Sequence, residues 1–324
     1  MIQSKIIKGT VFALSPIVHN EILSMDATKA AGKGNAKPQR KMSFILKDGN
    51  EEKKLEVPVV SGNSIRGIGR RLLVDFSFDT LDTSLEELFD KVEDQKRVAF
   101  FFRNGGLTPK GMSISPAAVG AYEKIHCIPF LGLLGSVYMG HHFEGSMCVG
   151  TLLPIIKETK EFINDKDVIN DEPIPTLDQI TADDNIVRYT RRASDNVVVE
   201  NEDENKDNKE KDKEAMIYAT AVIPAGTKFY SYNTCHTDNE GVLLAFQAFF
   251  ALLSNYGYIG GMSGRGHGQC KFDYSLDVNE AISKYQEYLL QNKEEIIEAI
   301  KMIPSTFTAT KKDKKKDKKG KAQE

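Results

Sequence analysis

The residues in this chain with the clearest chemical potential are cations, and they occur in three segments that lie far apart in the sequence. One segment is 29–41, a second begins at Arg66, and a third spans 188–192. Each segment alone is typical of a solvated protein face. Brought together by the fold, they would form a basic stripe suited to binding a phosphate backbone.

A glycine-rich loop, GGMSGRGHG at 260–268, is the second feature that could bind an anion. Glycine allows backbone N–H groups to approach a phosphate closely. The pattern differs from nucleotide-binding loops, because it follows a predicted helix, enters a predicted strand and lacks Gly-Lys-Ser/Thr. A tight structural turn therefore stays an open alternative, although Arg265 and His267 favour contact with a nucleic-acid backbone.

Neither a metal site nor a hydrolytic motif stands out. The pairs His126-Cys127 and His141-His142, together with Cys148, match no familiar zinc spacing, and buried cysteines with partly exposed histidines explain them as well. The chain has no His-Glu-x-x-His, no Gly-x-Ser-x-Gly and no evident carboxylate pair. We therefore expect no metal and no cofactor.

Net charge alone is misleading for this sequence. The formal charge is −3, but the final segment 311–324 has eight lysines and three acidic residues, so it carries +5 and the rest carries −8.

Four cysteines without close spacing indicate reduced thiols. The longest apolar stretch, Gly241–Leu253, is too short to span a bilayer. We expect a cytoplasmic protein without a membrane partner.

The first elements that must position these residues are a strand, a hairpin and a helix. An apolar run over 5–15 predicts the strand, and two runs flanking Asp48-Gly49-Asn50 predict the hairpin at 41–60. The Asn and Ser residues of Ser61-Gly62-Asn63-Ser64 can cap a helix, and apolar residues at helical spacing from Ile65 predict that helix. Arg66 and Arg70 are one turn apart and should face away from its apolar stripe.

The later pattern predicts strands at 216–223 and 228–233 joined by a turn, a helix at 239–256, a strand at 269–274 and a helix at 277–303. Between the two halves lies a region, 79–185, whose topology the pattern does not reveal. Helices segregated against a mostly antiparallel sheet indicate an α+β fold class. The order is compatible with a ferredoxin-like βαββαβ core that carries large insertions.

Three stretches carry a family resemblance: GTVFALSPIVHN at 9–20, VPVVSGNSIRGIGRRLL at 57–73 and GGMSGRGHGQ at 260–269. They resemble the signature regions of the RAMP superfamily. More narrowly, they are similar to the backbone subunit, "Cas seven", of class 1 CRISPR effector complexes, nearest to the type IV or type I forms. The pattern P-x-x-SGNSIRG-x-x-R is the most specific part.

The resemblance implies an RNA-recognition-motif-like (ferredoxin-like) palm with a large inserted finger subdomain and a thumb excursion. On this basis we predict a palm from 1–78 and 216–303 and a finger subdomain at 79–185. A thumb with a flexible acidic loop would occupy 186–215, and a disordered lysine-rich tail 304–324.

The resemblance also implies a function. Copies of such a subunit oligomerise along a guide RNA (crRNA), present it for target pairing and assemble with other effector subunits, and the nearest forms target DNA. Asn63, Ser64, Arg66 and Arg70 match the motif that holds the guide backbone, and Gly264, Arg265 and His267 match the glycine loop. The complete set of predicted RNA contacts is His19, Lys33, Lys37, Arg40, Asn63, Ser64, Arg66, Arg70, Arg188, Arg191, Arg192, Gly264, Arg265 and His267.

We expect Arg66, Arg70, Arg191 and Arg265 to border one groove, and we expect no catalysis. In type III relatives, an aspartate in the loop after the first strand cleaves target RNA, and Asp26 lies in that loop here. Its flanks, Ser24-Met25-Asp26-Ala27, do not reproduce a cleavage motif. Two alternatives stay open: a type III-like ribonuclease that uses Asp26, and an interaction protein that mimics the backbone subunit.

Overall fold

The structure, a computed structural model, describes residues 2–21, 37–48, 51–107, 115–116, 120, 123, 125–169, 173–181, 185–191 and 216–306. The strands are β1 Gln3–Ala13, β2 Lys41–Asp48, β3 Glu51–Pro58, β4 Gly106–Leu107, β5 Ser115–Pro116, β6 Ser136–Tyr138, β7 His141–Phe143, β8 Met147–Val149, β9 Leu153–Pro154, β10 Ile186–Arg191, β11 Met216–Ala221, β12 Lys228–Thr237 and β13 Cys270–Tyr274. The helices are α1 Gly62–Leu81, α2 Leu85–Leu88, α3 Val92–Asn104, α4 Pro129–Leu134, α5 Leu177–Thr181, α6 Glu240–Tyr256, α7 Val278–Gln291 and α8 Lys293–Thr306.

The main sheet is antiparallel, with its strands in the order β13-β1-β12-β8, and β9 also pairs with β12. β1 pairs with β12 from Gln3↔Thr237 to Phe12↔Lys228 and with β13 over its second half. Along the chain the central elements alternate as β1, α1, β8, β12, α6, β13. The architecture is therefore α+β, as the sequence predicts.

Helices cover one face of this sheet. Ile7, Val11 and Ala13 of β1 are buried in one cluster with residues of α1 and α6. Phe249 of α6 lies so close to Gly69 of α1 that a Cβ on this glycine would be 2.2 Å from the ring. Burying a phenylalanine side chain is worth about 1.5–3 kcal/mol, so this close packing fixes the position of α1 against the sheet.

The opposite face of the sheet is partly covered by the segment after β9. Ile155 and Ile163 pack against Tyr230 of β12. Lys8 of β1 forms an ion pair at 2.7 Å with Asp165, whose side chain is 9% exposed. The described sheet therefore has one face under helices and another face partly under irregular chain.

The region 79–185 is interwoven with the main core, whereas the sequence-based boundaries set it apart. Its strands β8 and β9 pair with β12 of the main sheet, and its buried Phe101 and Phe130 belong to the same cluster as Ile7. The remaining strands β4–β7 form a small separate sheet. The chain segment thus contributes strands to the main sheet as well as an inserted part.

Two further hairpins, β2–β3 and β10–β11, each form a two-stranded sheet. The hairpin β2–β3 matches the prediction at Asp48-Gly49-Asn50, and Phe44 on it packs against Phe162 with ring centroids 5.0 Å apart. The strands β11 and β12, expected as neighbours joined by a turn, lie in different sheets, because β11 pairs with β10 and β12 with β1.

One helix prediction also needs correction. The expected helix at 277–303 is two helices, since α7 ends before Asn292 and α8 begins at Lys293. Within 79–185, where the sequence pattern does not reveal the topology, the short α2 has a capping box at Ser84 and is followed by α3. By contrast, α1 and α6 form where their sequences predict helices, with Ser61 as the N-cap of α1 and Asn239 as the N-cap of α6. In the described part of the chain no helix is long and apolar enough to cross a membrane.

Candidate nucleic-acid interface

The chain that leaves β1 is held on both sides by segments from distant parts of the sequence. The N–H of Gly261 donates to Val18 O at 2.8 Å, and the N–H of Gly268 donates to Pro16 O at 2.9 Å. On the other side, Ile17 and Ile223 exchange two backbone hydrogen bonds of 2.9 Å. The glycine loop and the chain that follows β11 therefore both flank residues 14–21.

His19 connects this segment to the motif-bearing helix. Its Nε2 accepts the N–H of Ser61, the N-cap of α1, at 3.1 Å. Burial lowers the pKa of His19, and the nearby Arg40 lowers it further, against a smaller opposing effect of Glu21. His19 is therefore suited to hold α1 in place as a neutral acceptor, a role that the sequence did not indicate.

A second connection joins residues 37–41 to the β10–β11 hairpin. The N–H of Lys37 donates to Ala219 O at 3.2 Å, and the N–H of Ala221 donates to Lys37 O at 2.9 Å. The amide of Asn20 bridges the two segments, with contacts of 2.9 Å to Lys37 O and 2.7 Å to Thr220 Oγ1. The arrangement brings the Lys37 segment beside the base of the hairpin that carries Arg188.

The cations on these segments form no ion pairs within the part of the chain that the structure describes. Lys37 and Arg188 are exposed and Arg40 is half-buried. None of the three forms an ion pair with a carboxylate of the described residues, although Glu21 lies near the same segment. Exposed cations on adjoining segments, without ion-pair partners among the described residues, favour the binding of a polyanion.

The glycine loop contains a short 3-10 turn, Ser263–Arg265, bounded by residues with left-handed backbone, Met262 at φ 61° and Gly266 at φ 81°. Gly264 and Arg265 are exposed. His267 differs from the expectation of an exposed contact, because it is only 7% exposed. The loop thus presents Gly264 and Arg265 at the surface and keeps His267 inside.

The start of α1 is fixed by close backbone contact with the sheet edge. A Cβ on Gly62 would lie 2.2 Å from Val149 O at the end of β8, so this position has no room for a side chain. The N–H of Ser64 donates to the Ser61 side chain at 3.4 Å, and Asn63 is exposed. The Ser-Gly-Asn-Ser motif therefore places the N-terminal end of α1 beside β8 and leaves Asn63 accessible.

Arg70 points into the protein, contrary to the expectation of an exposed face. It is 8% exposed and donates to the carbonyls of Phe102 at 3.3 Å, Leu134 at 3.1 Å and Gly135 at 3.0 Å. These carbonyls belong to the ends of α3 and α4, where helical C=O groups lack partners and the helix dipole is negative. Burial, and to a smaller extent Arg66, lower the pKa of Arg70 to about 10.

Arg66 lies beside it and is half-buried. Its guanidinium donates to Leu134 O and, at 3.4 Å, to Met147 O, and burial lowers its pKa. Both arginines line a cleft of about 390 Å³ that also contains Ser136, His142 and Glu144. The predicted guide contacts of Arg66 and Arg70 stay predictions, but both side chains already bind carbonyls of the protein.

The structure brings most of the predicted site residues together. Two of them, Arg66 and Arg70, line the cleft described above. The others with described side chains lie on the segments that hydrogen bonds join near the end of β1: His19, Lys37, Arg40, Asn63, Ser64, Arg188, Gly264, Arg265 and His267. Of Arg191 the structure describes the backbone alone, in β10. Asp26, Lys33 and Arg192 lie outside the described residues.

Sequence reasoning missed the residues that hold these segments together. Asn20 is the last residue of the signature stretch at 9–20, and its position beside His19 is a signal from which its role could have been found. Gln39, 7% exposed, donates its side-chain amide to Val222 O, and nothing in its sequence context indicated that contact. As for metals, no cluster of three or more possible His, Cys, Asp or Glu ligands occurs among the described residues.

The comparisons with known proteins bear on the fold. A solved chain titled "Type IV-B CRISPR Complex" is similar to this one with a TM-score of 0.53 and 17% sequence identity. The similarity covers 84% of this chain and 92% of that chain. At this identity, the comparison establishes a shared fold. Neither a protein-family model nor a curated protein sequence matches the chain.

Proposed function

We propose that this chain is a non-catalytic backbone subunit of a CRISPR ribonucleoprotein effector complex. In this proposal it binds guide RNA, oligomerises along the guide with copies of itself, and presents the guide to a target nucleic acid, which we take to be DNA. Its other partners are the remaining effector subunits. The similarity to a chain of a type IV-B CRISPR complex over most of both chains supports the assignment.

The fold assignment within this proposal is an RNA-recognition-motif-like palm. In βαββαβ numbering, the strands β1, β8, β12 and β13 are the first, second, third and fourth, and they lie in the order 4-1-3-2. The inserted part of 79–185 corresponds to the fingers, and the β10–β11 hairpin to the base of the thumb. Every neighbouring pair is antiparallel, as a ferredoxin-like sheet requires.

The single observation that carries the RNA-binding proposal is the joining of distant cationic segments. Lys37 and Arg40 lie on a segment that is hydrogen-bonded to β11, and Arg188 lies on β10, which pairs with β11. None of the three cations has a carboxylate partner among the described residues. A phosphate backbone supplies the missing anions. His19, Asn20 and Gln39 then act by holding the loops in place.

The test is a titration of guide RNA at several salt concentrations with the triple variant Lys37→Ala, Arg40→Ala, Arg188→Ala. If each cation contacts one phosphate, the slope of log K against log salt should become less steep by about 2, since each phosphate contact on a single strand contributes about 0.7. A matched control, Lys96→Ala, Lys157→Ala, Lys301→Ala, removes three cations from other elements. Equal effects of both triple variants would contradict the proposed interface.

We also propose that the chain does not cleave RNA. A general acid or base needs a positioned partner, and the sequence around Asp26 supplies no recognisable one. Incubation of the native chain and of Asp26→Ala with complementary target RNA should leave the RNA intact in both cases. Cleavage by the native chain that disappears in Asp26→Ala would establish the ribonuclease alternative instead.

A further inference from the structure

A groove between α1 and α3 has apolar walls and an acidic rim. Val74 and Phe78 of α1 form one wall, Phe102 of α3 forms the other, and Leu85 of α2 contributes at one end. The ring centroids of Phe78 and Phe102 are 6.0 Å apart. The volume is about 490 Å³, enough to accept several side chains.

The charge of this groove is strongly one-sided. Asp75, Asp79 and Glu86 line it, and Arg103, the one cation among its described lining residues, is paired with Asp75. Asp79 and Glu86 form no ion pair with any described residue. Burial raises the pKa of Asp75, and the negative charge of Asp79 acts in the same direction against the opposing Arg103.

The dipole of α1, the helix that forms one wall, also favours a cation in this groove. The C-terminal end of α1 is the negative end of the helix dipole, where cations are favourable and anions are unfavourable. Yet Asp79 lies in the last turn, Asp82 is the C-cap, and no basic residue occurs in that turn. A bound cation would therefore relieve unfavourable interactions as well as form new ones.

The chemistry of the groove matches lysine. A lysine side chain places its methylene stem on an apolar surface while its ammonium group reaches a polar rim. The C-terminal segment 307–324 contains eight lysines and three acidic residues. It begins directly after Thr306, the last residue of α8, and α8 packs against α3, a wall of the groove.

The segment starts from α8, which contacts a wall of the groove, and its length gives it a long reach. Its 18 residues could span at most about 60 Å when fully extended. Covalent attachment also gives the segment an effective concentration in the millimolar range, so weak individual contacts suffice to hold it.

We propose that the lysine-rich segment 307–324 binds in cis to the groove between α1 and α3. Its ammonium groups contact Asp79 and Glu86, and its methylene stems pack on Phe78 and Phe102. While it is bound there, the segment is not available to bind a polyanion. The inference does not depend on guide-RNA binding, because it concerns a different surface and an occupant within the same chain.

Two measurements on the full-length chain test this proposal. In the first, a carbodiimide joins lysines directly to nearby carboxylates at low salt, and peptide mapping is confined to the monomeric fraction. The proposal predicts that lysines from 311 to 321 are joined mainly to Asp75, Asp79 and Glu86. Joining mainly to Glu200–Glu214, or to carboxylates spread over the whole chain, would overturn it.

In the second, trypsin removes the lysine-rich segment from the intact chain, and the rate is followed by mass spectrometry. Asp79→Asn with Glu86→Gln removes two rim charges and should raise the cleavage rate about fivefold at low salt, with the difference lost at high salt. The control, Glu294→Gln with Glu298→Gln, removes two exposed charges of α8 and should leave the rate unchanged. Equal rates in all three chains would overturn the proposal, as would equal acceleration in both variants.

Discussion

At the scale of single residues, Arg70 shows how one buried cation can join separate parts of a fold. Its guanidinium contacts three carbonyls at the ends of α3 and α4 while its backbone belongs to α1. The charge is placed where two helix dipoles are negative, which offsets part of the cost of burying it. Arg70 therefore has a structural role whether or not RNA is bound.

This role predicts a large difference between two neighbouring arginines. Arg70→Met leaves buried carbonyls without donors, so it should lower the free energy of unfolding by about 3 kcal/mol. Arg71 is exposed on the same helix, and Arg71→Met should change that energy by less than about 0.5 kcal/mol. Urea unfolding of both variants gives the comparison. Equal losses would show that the carbonyl contacts of Arg70 contribute little.

His19 predicts a dependence of stability on pH. Burial lowers its pKa below 6.5 in the folded chain. Below pH 6.5, the His19 side chain is therefore protonated more readily in the unfolded chain than in the folded chain. Stability should therefore fall as the pH decreases from 6.5 towards the folded pKa, and should be insensitive to this group above 6.5.

The substitution His19→Gln tests this prediction, because the Gln carbonyl can still accept the N–H of Ser61 but does not titrate. Urea midpoints measured from pH 8 to pH 5.5 should decrease less in His19→Gln than in the native chain. The exposed His142 provides the control substitution, His142→Gln. Parallel curves for the native chain and His19→Gln would contradict the assignment of His19 as a neutral, half-buried acceptor.

At the scale of elements, the position of α1 depends on the absence of a side chain at its first residue. Gly62→Ala would place a Cβ 2.2 Å from Val149 O, a backbone atom that cannot simply rotate away. We expect a loss of about 2 kcal/mol of stability from this overpacking, together with weaker guide binding, because Asn63 and Ser64 would shift with the helix.

The same helix supplies the control for this prediction. At Gly67 the nearest neighbour of an added Cβ is the Arg71 guanidinium at 4.0 Å. Gly67→Ala should therefore stabilise the chain by up to about 1 kcal/mol through helix propensity alone. Thermal unfolding of both variants separates the two effects, and a stabilising Gly62→Ala would contradict the proposed close packing against β8.

Elements with their own local signals could be predicted from the sequence. Capping residues in Ser61-Gly62-Asn63-Ser64 with the apolar periodicity from Ile65 predicted α1, and a long apolar run predicted α6. Strand partners could not be predicted, because β8 has only three residues and is selected by its contact with β12, far along the chain. The break at Asn292 was also missed, since the amphipathic pattern continues on both sides of it.

At the scale of the whole molecule, the candidate site was only partly predictable. Composition and motif spacing identified Lys37, Arg40, Arg188 and Arg265, because exposed cations need no tertiary context to be recognised. They did not distinguish these residues from Arg70 or His267, which the fold buries. Burial depends on contacts with α3, α4 and the segment after β1, and a single sequence pattern does not contain those contacts.

The measurement that tests the central claim most directly is the mass of the complexes formed by the native chain on guide RNAs of increasing length. A backbone subunit should add whole copies in steps as the RNA lengthens, and high salt should dissociate them. Mass photometry on a series of guides would record these steps. A chain that stays monomeric without affinity for guide RNA at low salt, or that binds a single copy at every length, would contradict the account.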